Sequence, residues 1–383
     1  MPSVPQPTIH ITGVGLVSAL GSSAPATFDA LLQGKYITDH ARVPLAPWGE
    51  HARVTQLAIA AAEEAIASAG WTAEELREDE TALIVGTSKG PVDAWLAGMK
   101  QHPAPLLHMS NSPYVIGGLG GFGLAEVSAT LSRHLSLGMG PAETVSAACA
   151  SGLHAIIRGA MILQAGQAKR ALVVATESSL HPLFIQSFQR LGVLPREGVG
   201  CRPFDVERGG FLISEAAAAV CLELDAPANS FAAIERFAMG ADATHLTGTD
   251  LRGSTLRHLL KMVMGDRPVD LVHGHGTGTL MNDPVELEAL EASLTIRGSG
   301  GPVLYSHKGA LGHSLGAAGL AAVTLNCLMH RRAIVPPNVQ TKHPLTTHIV
   351  RLTDQLVRLP IRRSITLAAG FGGPVAVVSL VSE

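Results

Sequence analysis

The sequence predicts a layered α/β fold with largely buried sheets, and two observations carry the prediction. Short β-branched runs alternate with longer alanine-rich helical patterns along the chain, the order expected of helices packed over sheets. Charged residues make up only 15 % of the 383 residues, with Ala and 41 Gly in their place, against about a quarter in an ordinary globular chain. So little charge implies that much of the outer surface is covered, most simply by a second subunit.

The elements follow in order. TIHITGVGLV (8–17) reads as a strand and VTQLAIAAAEEAIASAG (54–70) as a helix ended by glycine. TALIVGTS (81–88) and ETVSAACA (143–150) read as strands, and the second runs into an amphipathic helix, LHAIIRGAMILQ (153–164). ALVVATES (171–178) closes the first set. LVHGHGTGT (271–279), GPVLYSH (301–307) and ITLAAGFGG (365–373) read as strands of a second set, with the helix LAAVTLNCLMHRR (320–332) among them. Between the sets, LELDAPANSFAAIERF (222–237) reads as a seam in which one strand ends, a Pro-Ala-Asn turn follows and another strand begins.

Bulk properties exclude several functions. A net charge of −3 gives no reason to expect nucleic acid or a membrane surface as partner. No apolar run is long enough to span a bilayer, and the first residues lack the basic and apolar regions of a secretory signal. The expectation is a cytoplasmic protein. Its four cysteines, Cys149, Cys201, Cys221 and Cys327, are scattered without a CxxC pair, which argues against a disulfide framework or a cysteine-rich zinc site.

Cys149 stands where a strand gives way to a helix, a place that suits a small buried thiol and a nucleophile alike. Two stretches decide between them. VHGHGTGTLMNDPVE (272–286) sets His275 after a strand, in a Gly/Thr loop that a ligand can approach closely. SHKGALGHSLGAAG (306–319) holds Lys308 and His313, with glycines for a tight turn and small residues for close helix packing. A free thiol is only a few per cent thiolate at neutral pH, and a helix N-terminus contributes about 0.3–1 kcal/mol to an anion. That is less than one pKa unit, so a nearby imidazole is expected to help activate Cys149. Two neutral imidazoles aimed at one oxygen can hold an enolate. A cysteine that carries an acyl group beside them suits carbon–carbon bond formation between thioesters. Two rival motifs are weaker. GLGGFG (118–123) matches a dinucleotide-binding spacing but follows a poor strand, and the pair His273 and His275 lacks a third zinc ligand at the usual spacing.

These motifs, with ITGVGLVSALG (11–21), CRPFDVERGGF (201–211) and GFGG (370–373), resemble the β-ketoacyl-[acyl-carrier-protein] synthases of fatty acid and polyketide synthesis over nearly the whole chain. The resemblance implies a thiolase-like α/β fold: two similar βαβαβαββ halves in five layers, assembled as an obligate dimer. Residues 1–228 would form the half carrying the nucleophile and residues 229–383 the half carrying both histidines. It implies that Cys149 is acylated, that His275 and His313 promote decarboxylation of a malonyl thioester, and that Lys308 organises the histidine loop. Thr277 and Thr279 would bind a phosphopantetheine arm. The backbone N–H groups of Cys149 and Phe371 would form an oxyanion hole, with Phe371 and Gly372 in the gating loop. By alignment, Trp95 in GTSKGPVDAW (86–95) falls near the acyl pocket, or else packs a subunit interface. No metal or dissociable organic cofactor is expected, because the phosphopantetheine arrives on an acyl carrier protein. The partners expected are that carrier and a second ketosynthase-like subunit, identical or not.

The Cys/His/His set is the pattern of elongating ketosynthases; chain-length factors, by comparison, have lost the nucleophile. The sequence departs from the family around the site. Ala322 stands nine residues after His313 where a Glu is usual, which deprives Lys308 of its expected partner unless another group, such as Glu215, takes over. Arg-Asp-Gly-Phe reads Arg208-Gly209-Gly210-Phe211, GFGGTN reads GFGGPV with Pro374 and Val375, and the stretch between Leu20 and Thr55 is short. These departures favour a specialised pathway. They also keep two alternatives open: a non-catalytic partner subunit like a chain-length factor, and an acyltransferase without condensation.

Overall fold

The structure, a computed structural model, describes residues 8–49, 51–101, 123–224, 230–295 and 300–382. The glycine run at 118–123, apart from Gly123, and the turn at 225–229 lie outside the described residues. The strands of the first half are β1 (Ile9–Ser18), β2 (Thr81–Gly86), β3 (Ala142–Val145), β4 (Arg170–Glu177) and β5 (Ala216–Glu223). Those of the second are β6 (Ala232–Ala241), β7 (Leu271–His273), β8 (Val303–Tyr305), β9 (Ile334–Val335), β10 (Arg351–Leu352), β11 (Val357–Arg358), β12 (Arg363–Ala369) and β13 (Pro374–Val381). The helices are α1 (Ala24–Leu32), α2 (Arg53–Ala69), α3 (Ala73–Arg77), α4 (Val92–Gln101), α5 (Glu126–His134), α6 (Ser151–Gln164), α7 (Pro182–Arg190), α8 (Ser254–Met264), α9 (Asn282–Ser293), α10 (Lys308–Leu311) and α11 (Ala318–Arg332).

One strand order is used twice. The first half runs β3-β2-β4-β5-β1, the second β8-β7-β12-β13-β6 with β10 added outside β8. In each, the first three strands are parallel and the last two antiparallel. The halves meet where β1 pairs with β6, Ile9 opposite Ile234 and Ile11 opposite Ala232.

Alternation along the strands builds the layers, because successive side chains point to opposite faces. Leu83, Val85, Leu172 and Val174 face outward into a core shared with Leu57 and Ala61 of α2. Ile84 and Val173 face inward, where α6 and α11 contribute Leu153, Ile156, Leu320 and Val323. Beyond the second half, Val272, Leu304 and Val377 pack with Leu259 and Val263 of α8 and Leu290 of α9. The result is helix, sheet, helix, sheet, helix, as the resemblance implies. The two central helices cross closely. A Cβ on Gly152 would lie 2.6 Å from the backbone N of Leu320, and one on Gly319 would lie 3.0 Å from that of Leu153. The small residues after Cys149 and after His313 therefore let α6 and α11 touch backbone to backbone, which brings both functional turns to the same level.

Candidate active site

Cys149 lies between the end of β3 and the start of α6. Ala148, just before it, has a left-handed backbone with φ 48°, a conformation that costs a non-glycine residue energy and is kept only where surrounding structure enforces it. Ser151 enforces it here. Its hydroxyl donates to the Ala148 carbonyl at 2.7 Å and accepts from the Ala147 N–H at 2.9 Å. The turn sets Cys149 just before the N-terminus of α6, where unpaired N–H groups favour an anion. Burial pushes the thiol up to about 11, while Lys89 and then Lys308 pull it down and Glu177 adds to the rise.

The two histidines share with the Cys149 thiol the field of Lys308. His275 follows β7 and His313 precedes the short helical turn that leads into α11. Their rings meet edge to face with centroids 5.7 Å apart. Both are buried, and burial holds both well below the usual imidazole range, with Lys308 lowering them further. They are therefore neutral, each with one N–H to donate. The carboxylate of Glu286 on α9 accepts from the backbone N–H of His275 at 2.6 Å and of Gly276 at 2.8 Å. Asp283 accepts from Thr277 N at 3.0 Å and from Gly278 N. Lys308, also buried, donates from Nζ to the His275 carbonyl. The loop is thus clamped by carboxylates on its N–H groups and by an ammonium on a carbonyl.

Phe371 occupies the tip of the turn between β12 and β13, where Gly372 and Gly373 have φ 85° and 91°. The neighbouring Gly370 lies so near the nucleophile turn that a Cβ there would be 3.0 Å from Cys149 N. Phe188 connects the Phe371 and Phe211 rings, at 6.4 and 5.7 Å, and Phe211 meets His313 edge-on at 4.8 Å. Cys149 packs into this aromatic cluster. Thr277 and Thr279 share a hydrogen bond of 2.9 Å on the same loop as His275. Trp95 stands on α4, 43 % exposed in the single chain.

The structure bears on four readings of the sequence. His275 and His313 stay neutral because buried imidazoles resist protonation, and the cations acting on the thiol are lysines. Glu215 does not take over as partner of Lys308, because Arg42 and Arg53 hold its carboxylate at 2.8 and 3.2 Å. The carboxylates that act on Lys308 are Glu286 and then Asp283, both from the NDPVE stretch. The pair His273 and His275 does not offer two ligands to one ion, since His273 bonds Asn326 through Nδ1 and His307 through Nε2, at 2.7 and 2.8 Å.

The other departures are accommodated. Gly210, with φ 133°, passes so close to Val193 that a Cβ would lie 2.2 Å from its carbonyl oxygen. Arg208 donates to the Thr279 and Leu280 carbonyls, holding the histidine loop from outside. Pro374 is the first residue of β13, a strand position that needs no N–H.

Comparison with known proteins agrees with this geometry. The "Beta-ketoacyl synthase, N-terminal domain" profile matches residues 49–228 and the "Beta-ketoacyl synthase, C-terminal domain" profile matches residues 231–342. The chain is 28 % identical to 3-oxoacyl-[acyl-carrier-protein] synthase 2 of Rhizobium meliloti, over 95 % of this chain and 96 % of that one. It is 26 % identical to the tetracenomycin polyketide synthase ketoacyl synthase alpha subunit of Streptomyces glaucescens, over 95 % of each. The solved ishigamide ketosynthase/chain length factor superposes with a TM-score of 0.85 at 24 % identity, covering 99 % of this chain and all of that one. With both domain profiles matched in order along a doubled five-layer fold, the chain belongs to the β-ketoacyl synthase family of the thiolase-like superfamily.

Proposed function

We propose that this β-ketoacyl-[acyl-carrier-protein] synthase uses Cys149, His275 and His313 for decarboxylative Claisen condensation on carrier-bound thioesters. The observation that carries the reading is the edge-to-face pair of buried neutral imidazoles beside the nucleophile turn. In the first step the Cys149 sulfur attacks the acyl thioester. A new carbon–sulfur bond forms, the carrier's pantetheine thiol leaves with a proton, and the N–H groups of Cys149 and Phe371 hold the oxyanion. Malonyl carrier then binds along Thr277 and Thr279. Loss of CO₂ leaves the electron pair on the enolate, whose oxygen accepts from the histidine N–H groups. Imidazoles kept neutral suit that role, since they donate without giving up the proton. The enolate carbon attacks the acyl group, the tetrahedral centre collapses, and Cys149 leaves as thiolate. Lys308 acts through the His275 carbonyl. No metal or dissociable organic cofactor enters these steps; phosphopantetheine comes with the substrate.

The partners that fit are an acyl carrier protein and a second ketosynthase-like subunit. The solved ishigamide relative is a ketosynthase with a chain length factor, and among the described residues β3 is the last strand of the sheet. The lost Glu at position 322 no longer favours a non-catalytic subunit, because Glu286 and Asp283 balance Lys308. Mass spectrometry after incubation with acyl carrier protein tests the reading. An acyl adduct that disappears in Cys149→Ala, with CO₂ released from malonyl carrier, is the expected result. No adduct would leave the partner-subunit reading, and an adduct without CO₂ release would leave the acyltransferase.

A further inference from the structure

Lys89 lies in the loop between β2 and α4, a part of the chain that the reaction as derived above does not use. Its side chain is half-buried, with Nζ 5.3 Å from the ring centre of Phe184 and 5.6 Å from that of Phe188. Phe188 belongs to the aromatic cluster that also holds Phe211, Phe371 and Cys149. The ammonium therefore sits one layer of rings away from the nucleophile. Its hydrogen-bond acceptor is the Ser88 hydroxyl at 3.0 Å, and among the described residues no carboxylate lies within ion-pair distance of it.

We propose that Lys89 is the positioning residue that favours the thiolate of Cys149 before acyl transfer. This rests on the reading of Cys149 as the nucleophile. Lys308, from α10, acts on the thiol too, but it faces Glu286 first, Cys201 and Asp283 as well, and is tied to the His275 carbonyl. Glu177, at the end of β4, opposes the thiolate, but its carboxylate accepts from Ser88 N, Ser88 Oγ, Ser179 Oγ and Gly316 N. Those donors draw its charge toward the loop. His275 and His313 are neutral. Among the described residues Lys89 has no carboxylate within ion-pair distance, its link to Glu177 running through the Ser88 hydroxyl, and it is the foremost of the charges that pull Cys149 down. The aromatic rings screen it from water, so its field reaches the sulfur with less attenuation than a surface lysine's would. Lys89 forms no bond in the reaction. It lowers the cost of the anion that attacks the thioester and that is released when the tetrahedral centre collapses.

The test reads the thiolate directly. Alkylation of Cys149 by iodoacetamide is followed against pH by mass spectrometry, in the full-length protein, for wild type, Lys89→Met, Lys89→Gln and Lys89→Arg. The glutamine variant keeps a donor toward Ser88 and loses the charge. The expected result is an alkylation midpoint raised by about one pH unit in the two neutral variants. That corresponds to roughly tenfold slower alkylation below both midpoints, with recovery in Lys89→Arg. Profiles that superimpose on wild type in whichever neutral variant folds would overturn the proposal, as would a rise in Lys89→Arg equal to that in Lys89→Gln. Failure of the condensation reading is told apart by the acyl adduct, which needs the carrier substrate where alkylation does not.

Discussion

Replacing Glu286 by Gln sets two effects of similar size against each other, and pH separates them. The carboxylate accepts from the His275 N–H at 2.6 Å, from the Gly276 N–H at 2.8 Å and from Asn282 Nδ2 at 3.0 Å. A glutamine offers one acceptor oxygen where the carboxylate has two, so one buried N–H loses its partner, at about 1–3 kcal/mol. Against this, burial and then Asp283 push the Glu286 carboxyl up from 4.5 to about 7, which makes the ionised form cost roughly 3 kcal/mol of stability. A raised carboxyl contributes stability below its unfolded value of 4.5 and loses it as pH rises through about 7. The variant lacks that loss. Its stability relative to wild type should therefore improve by about 2 kcal/mol between pH 5.5 and 8.5, reaching rough parity at the upper end. Decarboxylation should fall about tenfold to a hundredfold above pH 7, where the wild-type Glu286 is ionised, because half of the clamp on His275 has gone. Urea denaturation at fixed protein concentration and CO₂ release from malonyl carrier measure the two. A stability difference that does not change with pH would refute the charge argument. Unaltered decarboxylation would refute the clamp.

Three further outcomes follow from the same geometry. His313→Ala should keep self-acylation of Cys149 while losing CO₂ release; equal loss of both would mean that the ring does not serve the enolate or that its loop has collapsed. Ala322, 3 % exposed within α11, has no room for a longer side chain, and Lys308 already has its carboxylates. Ala322→Glu should cost at least about 3 kcal/mol from overpacking and a buried charge, and a variant that melts with wild type would show that Lys308 can turn to meet it. Burial holds His273 down at about 3 and His330 at about 4, and His275, His307 and His313 well below 6.5. The unfolded chain binds those protons more readily, so stability is full above pH 6.5 and falls below it. Glu286 works in the opposite direction, which leaves a loss on the order of 4 kcal/mol between pH 6.5 and 5.5; equal urea midpoints at the two values would contradict it.

What the sequence disclosed was local, and what it concealed was built across distance. The nucleophile turn, the two histidines and the close helix crossing were legible because each is written within a few residues: Cys149 with its alanines and Gly152, His313 with Gly319. β5 was less legible. Ala216 to Ala219 are poor strand formers, yet they lie between β1 and β4 with helices packed on both faces, and small side chains are what that crowding admits. Tertiary packing overrides propensity there. The charge balance of the site was hidden for a related reason. Lys308 meets Glu286 only because β7, β8 and the start of α9 converge, and Lys89 reaches the aromatic wall from a different strand of the other half.

The departure at position 322 follows from that balance. A buried ammonium needs a compensating charge, but nothing in electrostatics requires the charge to come from one particular helix. Here the carboxylates that clamp the histidine loop also face Lys308, so one pair of acids serves both purposes. That leaves α11 free to present an alanine at 322 and to pack there without a polar group. The same economy has a consequence for the loop. In a site where one residue on α11 balanced the lysine, the clamp and the charge could be altered separately; in this one they cannot. Any change at Glu286 or Asp283 should therefore disturb the position of His275 and the field of Lys308 together, and substitutions at the two acids should be non-additive with substitutions at Lys308.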